Sequence, residues 1–264
     1  MTFEAIDVWD RGAVRMIFHN RPDKRNAESQ QLLEELDAAL DAASVDPKVR
    51  VVVIGGHGDH FSAGHDLKEG QAVRMKFSLE ERWEYETRLY TGLCMKAWDM
   101  PKPTIARVQG ACVAGGFMLA NMCDLVIASD DAFFVDPVVQ TLSLAGTEVL
   151  IHPWVMGLRK AKEMLYTGRR MYASEAAEIG MINACVPRTE LDAEVDRLAD
   201  RIAEAPPFAM RMMKRSLNRT ADIQGFRNAL EAHFDLHLMT HYTQERVEIR
   251  KKGLESTISK VRKE

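Results

Sequence analysis

The sequence has little of what marks membrane proteins, disulfide-stabilised secreted proteins or nucleic-acid-binding proteins. No apolar run approaches the ~20 residues that a membrane-spanning helix needs. None of the four cysteines has CxxC spacing, so we expect reduced, mostly buried thiols in a cytoplasmic protein. A formal net charge of −4 gives no general reason to expect a nucleic-acid partner. Acidic side chains in the first ten residues argue against a secretory signal.

The 264 residues contain a strand-then-helix rhythm that is typical of an α/β protein. A hydrophobic fraction of 46% and a charged fraction of 28% are ordinary for a globular chain of this size. The clearest boundary is Pro206–Pro207, beyond which the pattern is helical throughout. We therefore predict a core over residues 1–205 and a helical region over residues 206–264.

Two glycine-rich stretches each follow a strand-like run. The first is Phe-Ser-Ala-Gly-His-Asp-Leu at residues 61–67, and the second is Gly-Ala-Cys-Val-Ala-Gly-Gly-Phe at residues 110–117. Small residues at such turns let a ligand approach the main chain closely. Either stretch alone would be interpreted as a turn without a ligand, and the pair together suggests a site.

Several segments make the chain resemble the crotonase superfamily, also called the enoyl-CoA hydratase/isomerase family. They are residues 20–27, 61–67, 103–106, 110–119, 123–124, 165–168 and 176–183. The resemblance implies a spiral of ββα turns with a helical C-terminal trimerisation region. It also implies a homotrimer or a dimer of trimers.

The resemblance further implies an acyl-CoA thioester substrate whose enolate is stabilised by two backbone N–H groups. By position these belong to His65, whose imidazole is not needed for this role, and to Gly115. Gly115 begins a predicted helix, where free N–H groups and a partial positive charge are expected. No metal and no permanently bound cofactor are implied, because coenzyme A arrives as part of the substrate.

Coenzyme A is expected near the early basic loop. Lys24 or Arg25 could pair with its phosphates, although a merely solvated basic loop is the alternative that composition favours. By resemblance, further residues border the adenine, the pantetheine or the acyl group, and these are Ala27, Ala63, Gly64, Asp66, Leu67, Lys68, Met118 and Val138.

The sequence departs from the hydratase pattern where the chemistry should occur. Hydratases of this family use two glutamates, and the matching positions here hold Met118 and Val138. Neither side chain can transfer a proton, so ordinary hydration by paired carboxylates is not expected. Isomerase, hydrolase or lyase chemistry would use the same oxyanion site. A non-catalytic acyl-CoA-binding or scaffold protein is the alternative.

Glu148 is the candidate replacement base, because it follows Gly146–Thr147 in a loop that other members use for an acid or base. The alternative is that Glu148 begins a helix and is favoured there by the helix dipole. Asp136 and His152 are lesser candidates, since the first suits a turn before Pro137 and the second suits packing.

Three histidines, His233, His237 and His241, lie four residues apart on one face of a predicted helix. The first and third are about 12 Å apart along the axis, too far to share one ion in this arrangement. Packing at a subunit interface is therefore the preferred interpretation, and no metal is predicted.

Overall fold

The computed structural model describes residues 2–252, which form nine β-strands and twelve α-helices. The strands are β1 (Ile6–Arg11), β2 (Val14–His19), β3 (Val51–Gly56), β4 (Thr104–Val108), β5 (Ala111–Val113), β6 (Leu125–Ser129), β7 (Phe133–Val135), β8 (Met171–Tyr172) and β9 (Ala184–Val186).

The first six helices lie before residue 143, and a π-helical turn, Thr87–Thr91, joins the third to the fourth. These six helices are α1 (Gln30–Val45), α2 (Leu67–Ala72), α3 (Leu79–Glu86), α4 (Gly92–Asp99), α5 (Gly115–Met122) and α6 (Val138–Leu142). The remaining helices are α7 (His152–Thr167), α8 (Ala173–Glu178), α9 (Leu191–Ala203), α10 (Pro207–Ile223), α11 (Phe226–Thr240) and α12 (Gln244–Lys252).

The larger sheet has the order β1-β2-β3-β4-β6-β9, and the smaller sheet has the order β5-β7-β8. In the larger sheet only the β1–β2 hairpin is antiparallel, and residues 12–13 form its turn. Parallel strands joined by helices confirm the predicted α/β class.

The central strand β3 is buried on both faces because helices cover each side of the sheet. Val52 and Ile54 pack into the main core, which also contains the apolar side of α1. Val51 and Val53 pack on the opposite face against α9. This two-sided cover explains why β3 is an unbroken apolar run rather than an alternating one.

The alternative in which Glu148 begins a helix is wrong, because α7 starts at His152 with a proline in its first turn. Gly157, with φ +75°, interrupts α7, and Gly168 in the left-handed conformation ends it. Tyr172, in an extended conformation, precedes α8.

The C-terminal helices pack against the sheet-containing part of the chain. Lys214 of α10 is buried, and its Nζ lies 2.8 Å from Asp124 Oδ2, 3.3 Å from the Ala97 carbonyl oxygen and 3.1 Å from that of Lys102.

The boundary at residues 205–206 stays a prediction, and residues 253–264 of the predicted helical region lie outside the described residues. Among the described helices, none has both the length and the apolar character needed to cross a membrane. All four cysteines are free thiols, and Cys185 is the least buried of them.

We predict that Lys214→Ala lowers the free energy of unfolding by about 2 kcal/mol, because its three acceptors, which are buried or half-buried, lose their shared donor. Urea denaturation followed by circular dichroism measures the change. Arg215→Ala, on the exposed side of the same helix, is the control and should change stability by less than about 0.5 kcal/mol. Equal effects of the two changes would contradict this role of Lys214.

Candidate active site

A cavity of about 720 Å³ lies between the early basic loop, the 61–67 turn, α2, α3 and the C-terminal helices. It is lined by most of the site residues named from the sequence, namely Lys24, Arg25, Ala27, Ala63, His65, Asp66, Leu67, Lys68, Val138 and Glu148. Gly64, Gly115 and Met118 are buried and are not among the lining residues. The sequence therefore located one wall of the cavity well.

The two glycine-rich turns lie against each other, as their pairing in sequence suggested. A parallel bridge joins Ser62 of the first turn to Cys112 of the second. A Cβ on Gly64, where φ is +76°, would lie 2.6 Å from the Val113 carbonyl oxygen. Glycine is required at this contact because both the backbone conformation and the space exclude a side chain.

The backbone amide of His65 is directed away from its neighbouring strand-like segment. A second parallel bridge pairs His65 with Glu28, and its two hydrogen bonds use the Gly64 carbonyl and the Asp66 N–H. In such a bridge the central residue's own N–H points to the opposite side. This leaves the His65 amide available to a ligand.

Gly115 is the first residue of α5, where backbone N–H groups have no partner within the helix. The preceding residue, Ala114, has φ +45°, a strained conformation that turns the chain sharply into the helix. Such strain concentrates at functional sites. Convergence of the His65 and Gly115 amides on one ligand oxygen stays a prediction.

The His65 imidazole points into a group of polar side chains. It stacks on the Tyr90 ring, with the centroids 3.9 Å apart and the planes 3° from parallel. Its Nδ1 lies 3.5 Å from Glu28 Oε2, and its Nε2 lies 3.6 Å from Glu148 Oε1. Burial, helped by the nearby Arg74 cation, lowers the pKa of His65 well below its ordinary value. The ring is therefore neutral at pH 7.

Glu28 is a site residue that the sequence reasoning missed. Its side chain is 1% exposed, and Ser62 Oγ donates a hydrogen bond of 3.3 Å to its Oε1. Burial raises the pKa of Glu28 to about 8, so this carboxyl group is mostly protonated at pH 7. Glu28 precedes α1, which begins at Gln30 after the cap residue Ser29, and no local sequence pattern distinguishes it from a surface glutamate at a helix start.

Glu148 lies in the cavity wall as predicted, on a loop before α7 rather than in a helix. Its carboxylate is buried, and Oε2 lies 3.0 Å from His237 Nδ1. Burial raises the pKa of Glu148, against the opposing effect of the His237 cation. The other oxygen, Oε1, faces His65.

Histidines of α11 contribute to this site, so the interpretation of His237 and His241 as interface packing is wrong. Both side chains are buried within the chain and line the cavity, while His233 is partly exposed. His237 Nε2 lies 2.9 Å from Glu86 Oε2. Burial opposes the charged imidazole, but the Glu148 and Glu86 carboxylates raise the pKa of His237 overall. Helix α11, together with His241 directly after it, therefore completes the cavity within the same chain.

Glu86 was not found from the sequence because the buried face of its helix, α3, is largely polar. The buried face of α3 carries Arg82, Tyr85 and Glu86 instead of apolar residues. Arg82 Nη1 donates to Glu86 Oε1 at 3.0 Å. His237 and Arg82 together lower the pKa of Glu86, although its burial acts in the opposite direction.

The two lesser candidates pair with each other away from the cavity. His152 Nε2 lies 3.3 Å from Asp136 Oδ2, both residues are almost fully buried, and the imidazole stacks on Phe117. Neither is among the cavity-lining residues. They contribute to packing under the β7–α6 turn.

The early basic loop is held in place by the side chains of Asn26 and of Arg21, which the sequence reasoning did not single out. Asn26, with φ +53°, donates to the carbonyls of His57 and His60. Arg21 donates to the Ala27 carbonyl and forms an ion pair of 3.0 Å with Asp66. Arg21 therefore occupies the Asp66 carboxylate, so this residue borders the cavity without presenting a free anion.

Known proteins resemble this chain over most of its length. A family profile described as enoyl-CoA hydratase/isomerase matches residues 10–262. The Mycobacterium tuberculosis protein named "Putative enoyl-CoA hydratase EchA13" is 37% identical over 249 residues, covering 88% of this chain and 78% of the relative. The crystal structure of an enoyl-CoA hydratase/isomerase from Xanthobacter autotrophicus Py2 is 36% identical, with a TM-score of 0.91 over 98% of this chain and 97% of the other. A probable enoyl-CoA hydratase from Mycobacterium smegmatis is 45% identical, with a TM-score of 0.84 over 89% of this chain and 94% of the other.

We predict that Gly115→Ala destabilises the protein by about 1–3 kcal/mol, because the new methyl group would overlap Glu28 Oε2 and lie 2.6 Å from His65 Nδ1. A double-mutant cycle with Glu28→Ala tests the cause by chemical denaturation. In the Glu28→Ala background the cost of Gly115→Ala should be smaller. An equal cost in both backgrounds would show that the overlap is not the reason.

A pH dependence follows from Glu28. Its raised pKa means that the folded protein binds a proton that the unfolded chain releases above pH 4.5, so this residue's contribution to stability falls as the pH rises towards 8. Glu28→Gln keeps a neutral side chain of the same shape. Between pH 5 and pH 8, the stability of the variant relative to wild type should rise by roughly 2–5 kcal/mol. Parallel pH–stability curves for the two proteins would contradict a protonated Glu28.

Proposed function

The chain belongs to the enoyl-CoA hydratase/isomerase family, and on that premise we propose that it moves a proton on an acyl-CoA thioester with Glu148 as its single acid–base group. Members of this family process acyl-CoA, and the crotonase fold is shared with the solved structures. The observation that carries the proposal is the buried Glu148 carboxylate in the cavity wall. By the family resemblance, Met118 and Val138 would hold the positions of the two hydratase glutamates, which leaves Glu148 as the proposed acid–base group.

The proposed oxyanion site consists of the backbone N–H groups of His65 and Gly115. Removing an α-proton from a thioester moves an electron pair onto the carbonyl oxygen. Fixed amide donors that face this oxygen would stabilise the resulting enolate, and one such donor is worth roughly 2.7–4 kcal/mol. The strained turn at Ala114 and the open amide of His65 support this assignment.

Glu148 would break the α C–H bond of the thioester and take the proton. In a β,γ-unsaturated thioester, the negative charge of the enolate spreads to the γ-carbon. Return of the same proton to the γ-carbon moves the double bond, without addition of water. His237 holds Oε2 of Glu148 at 3.0 Å, which leaves Oε1 as the oxygen for this transfer. Hydrolase and lyase reactions through the same enolate are the competing outcomes of the test below.

Coenzyme A would enter as part of the substrate and lie along the early basic loop. Lys24, Arg25 and Lys68 line that part of the cavity and supply cations for its phosphates. Ala27 and Ala63 form the small-residue border next to them. No permanently bound organic cofactor is part of this proposal.

We also propose a homotrimer or a dimer of trimers in the cytoplasm. The C-terminal helices expose large apolar side chains, which is unusual for a surface that stays in water. They are Phe208, Met213, Leu217, Ile223, Leu236 and Met239. Their burial in an oligomer would remove this apolar surface from solvent.

We predict that Glu148→Gln lowers turnover by at least about 100-fold and leaves the dissociation constant for an acyl-CoA within about threefold, because the amide keeps the shape but cannot accept the proton. Turnover is assayed with α,β- and β,γ-enoyl-CoAs, with product identification by mass spectrometry. Glu84→Gln, an exposed change on α3, is the control and should retain full turnover.

Three results would count against this function. Turnover that survives Glu148→Gln removes Glu148 as the acid–base group. Products of hydration or chain cleavage, instead of a shifted double bond, assign the enolate to another reaction. Tight acyl-CoA binding by the wild-type protein with no turnover of either substrate series would favour the non-catalytic binding protein.

A further inference from the structure

Three buried side chains meet at the end of the cavity next to Glu148. Glu86, His237 and His241 are 5%, 4% and 7% exposed, and all three line the cavity. One ligand atom from each lies within 4.8 Å of the others. From this arrangement we propose that Glu86, His237 and His241 form a binding site for a divalent transition-metal ion of the zinc type.

The distances match the spacing of ligands around a tetrahedral ion. Metal–ligand bonds of about 2.0–2.2 Å separate neighbouring ligand atoms by about 3.3–3.6 Å. His237 Nε2 lies 3.2 Å from His241 Nε2 and 2.9 Å from Glu86 Oε2. His241 Nε2 lies 3.6 Å from Glu86 Oε1. Small side-chain shifts would therefore let one ion contact all three groups.

Hydrogen bonding alone satisfies this triangle poorly. Each Nε2 carries at most one hydrogen, and the carboxylate carries none when it is ionised. Whichever nitrogen is protonated, at least one of the three contacts joins two donors or two acceptors. A cation at the centre would let both nitrogens and the carboxylate oxygen act as electron-pair donors.

Two of the three proposed ligands, His237 and Glu86, each have a further partner that orients them, as metal ligands usually do. His237 Nδ1 lies 3.0 Å from Glu148 Oε2, which directs the Nε2 lone pair towards the cluster. Arg82 Nη1 holds Glu86 Oε1 at 3.0 Å, which leaves Oε2 for the ion. A carboxylate–histidine pair of this kind is the usual support of a histidine ligand.

The histidine spacing agrees with the same interpretation. His237 and His241 are four residues apart, a helical spacing that brings two imidazoles to one ion. Within the helix, the histidine spacing offers only His233 as a third ligand, and His233 is too far from His241 along the axis to share one ion. In the structure the third group is Glu86 of α3. The spacing of residues within α11 gives no information about a side chain on another helix. Two histidines and one glutamate, with the fourth position facing a cavity, are typical of reactive zinc sites.

The fourth position would hold a water molecule or an oxygen atom of the acyl group. The metal would then lie beyond Glu148, at the acyl end of the cavity. Glu148 supports His237 through its Oε2, but Glu86, His237 and His241 themselves take no part in the proton transfer proposed for Glu148 Oε1.

The test uses the full-length protein, dialysed against EDTA and then titrated with Zn²⁺ without any acyl-CoA. We expect about one equivalent of zinc by calorimetry and by metal analysis, with a rise in the melting temperature. His241→Gln and Glu86→Gln should each weaken zinc binding at least about tenfold. His233→Gln, one turn earlier on the same helix, is the matched control and should bind zinc as the wild type does.

Absence of stoichiometric zinc binding by the folded wild-type protein would overturn the site. Equal zinc binding by wild type, His241→Gln and Glu86→Gln would also overturn it, since the ion would then lie elsewhere. Circular dichroism verifies that each variant is folded. If His241→Gln is not folded, His241→Asn is used in its place. The zinc titration contains no substrate, so its failure and the failure of the Glu148 turnover test are distinguishable.

Discussion

The exclusion of water from a row of ionisable side chains is the constraint on which the rest of this site depends. Glu28, which lies behind the cavity wall, and the lining residues His65, Glu148, His237 and Glu86 follow one another, each within 3.6 Å of the next. A buried charge is costly unless it is paired, so the groups at the start of the row are kept neutral and those at its end share charge. The fold must hold these side chains in fixed relative positions, because removal of one partner leaves its neighbour buried without a group that compensates its charge or polarity.

Backbone geometry and side-chain chemistry are assembled at the same point in the chain. The bridge that pairs Glu28 with His65 both orients the His65 amide and brings the Glu28 carboxyl beside the imidazole. Gly115 lets α5 begin directly against these two side chains. The amide donors and the row of ionisable groups are thus built by the same contacts, so a change to one is expected to disturb the other.

Much of the fold and of one cavity wall could be predicted from the sequence, because the signals there are local. The strand-like runs before the two glycine-rich stretches, which form β3 and β4, and the helix that begins at Gly115 each follow from a few adjacent residues. Glu28 and Glu86 could not be found in this way. Each resembles an ordinary helix-surface glutamate until tertiary packing removes its water, and that packing involves segments more than 30 residues away.

The π-helical turn at Thr87–Thr91 links two faces of different character. Upstream, the buried face of α3 is polar and supplies Arg82 and Glu86 to the cavity. Downstream, the buried face of α4 is apolar and supplies Leu93 and Ala97 to the core. Since one residue in a regular helix corresponds to a rotation of about 100°, a single deletion in this turn would swing one face out of place. Relatives that differ in length here would therefore have to rebuild either the end of the cavity next to Glu148 or the core beneath it, so the shape of the cavity and the stability of the fold would change together.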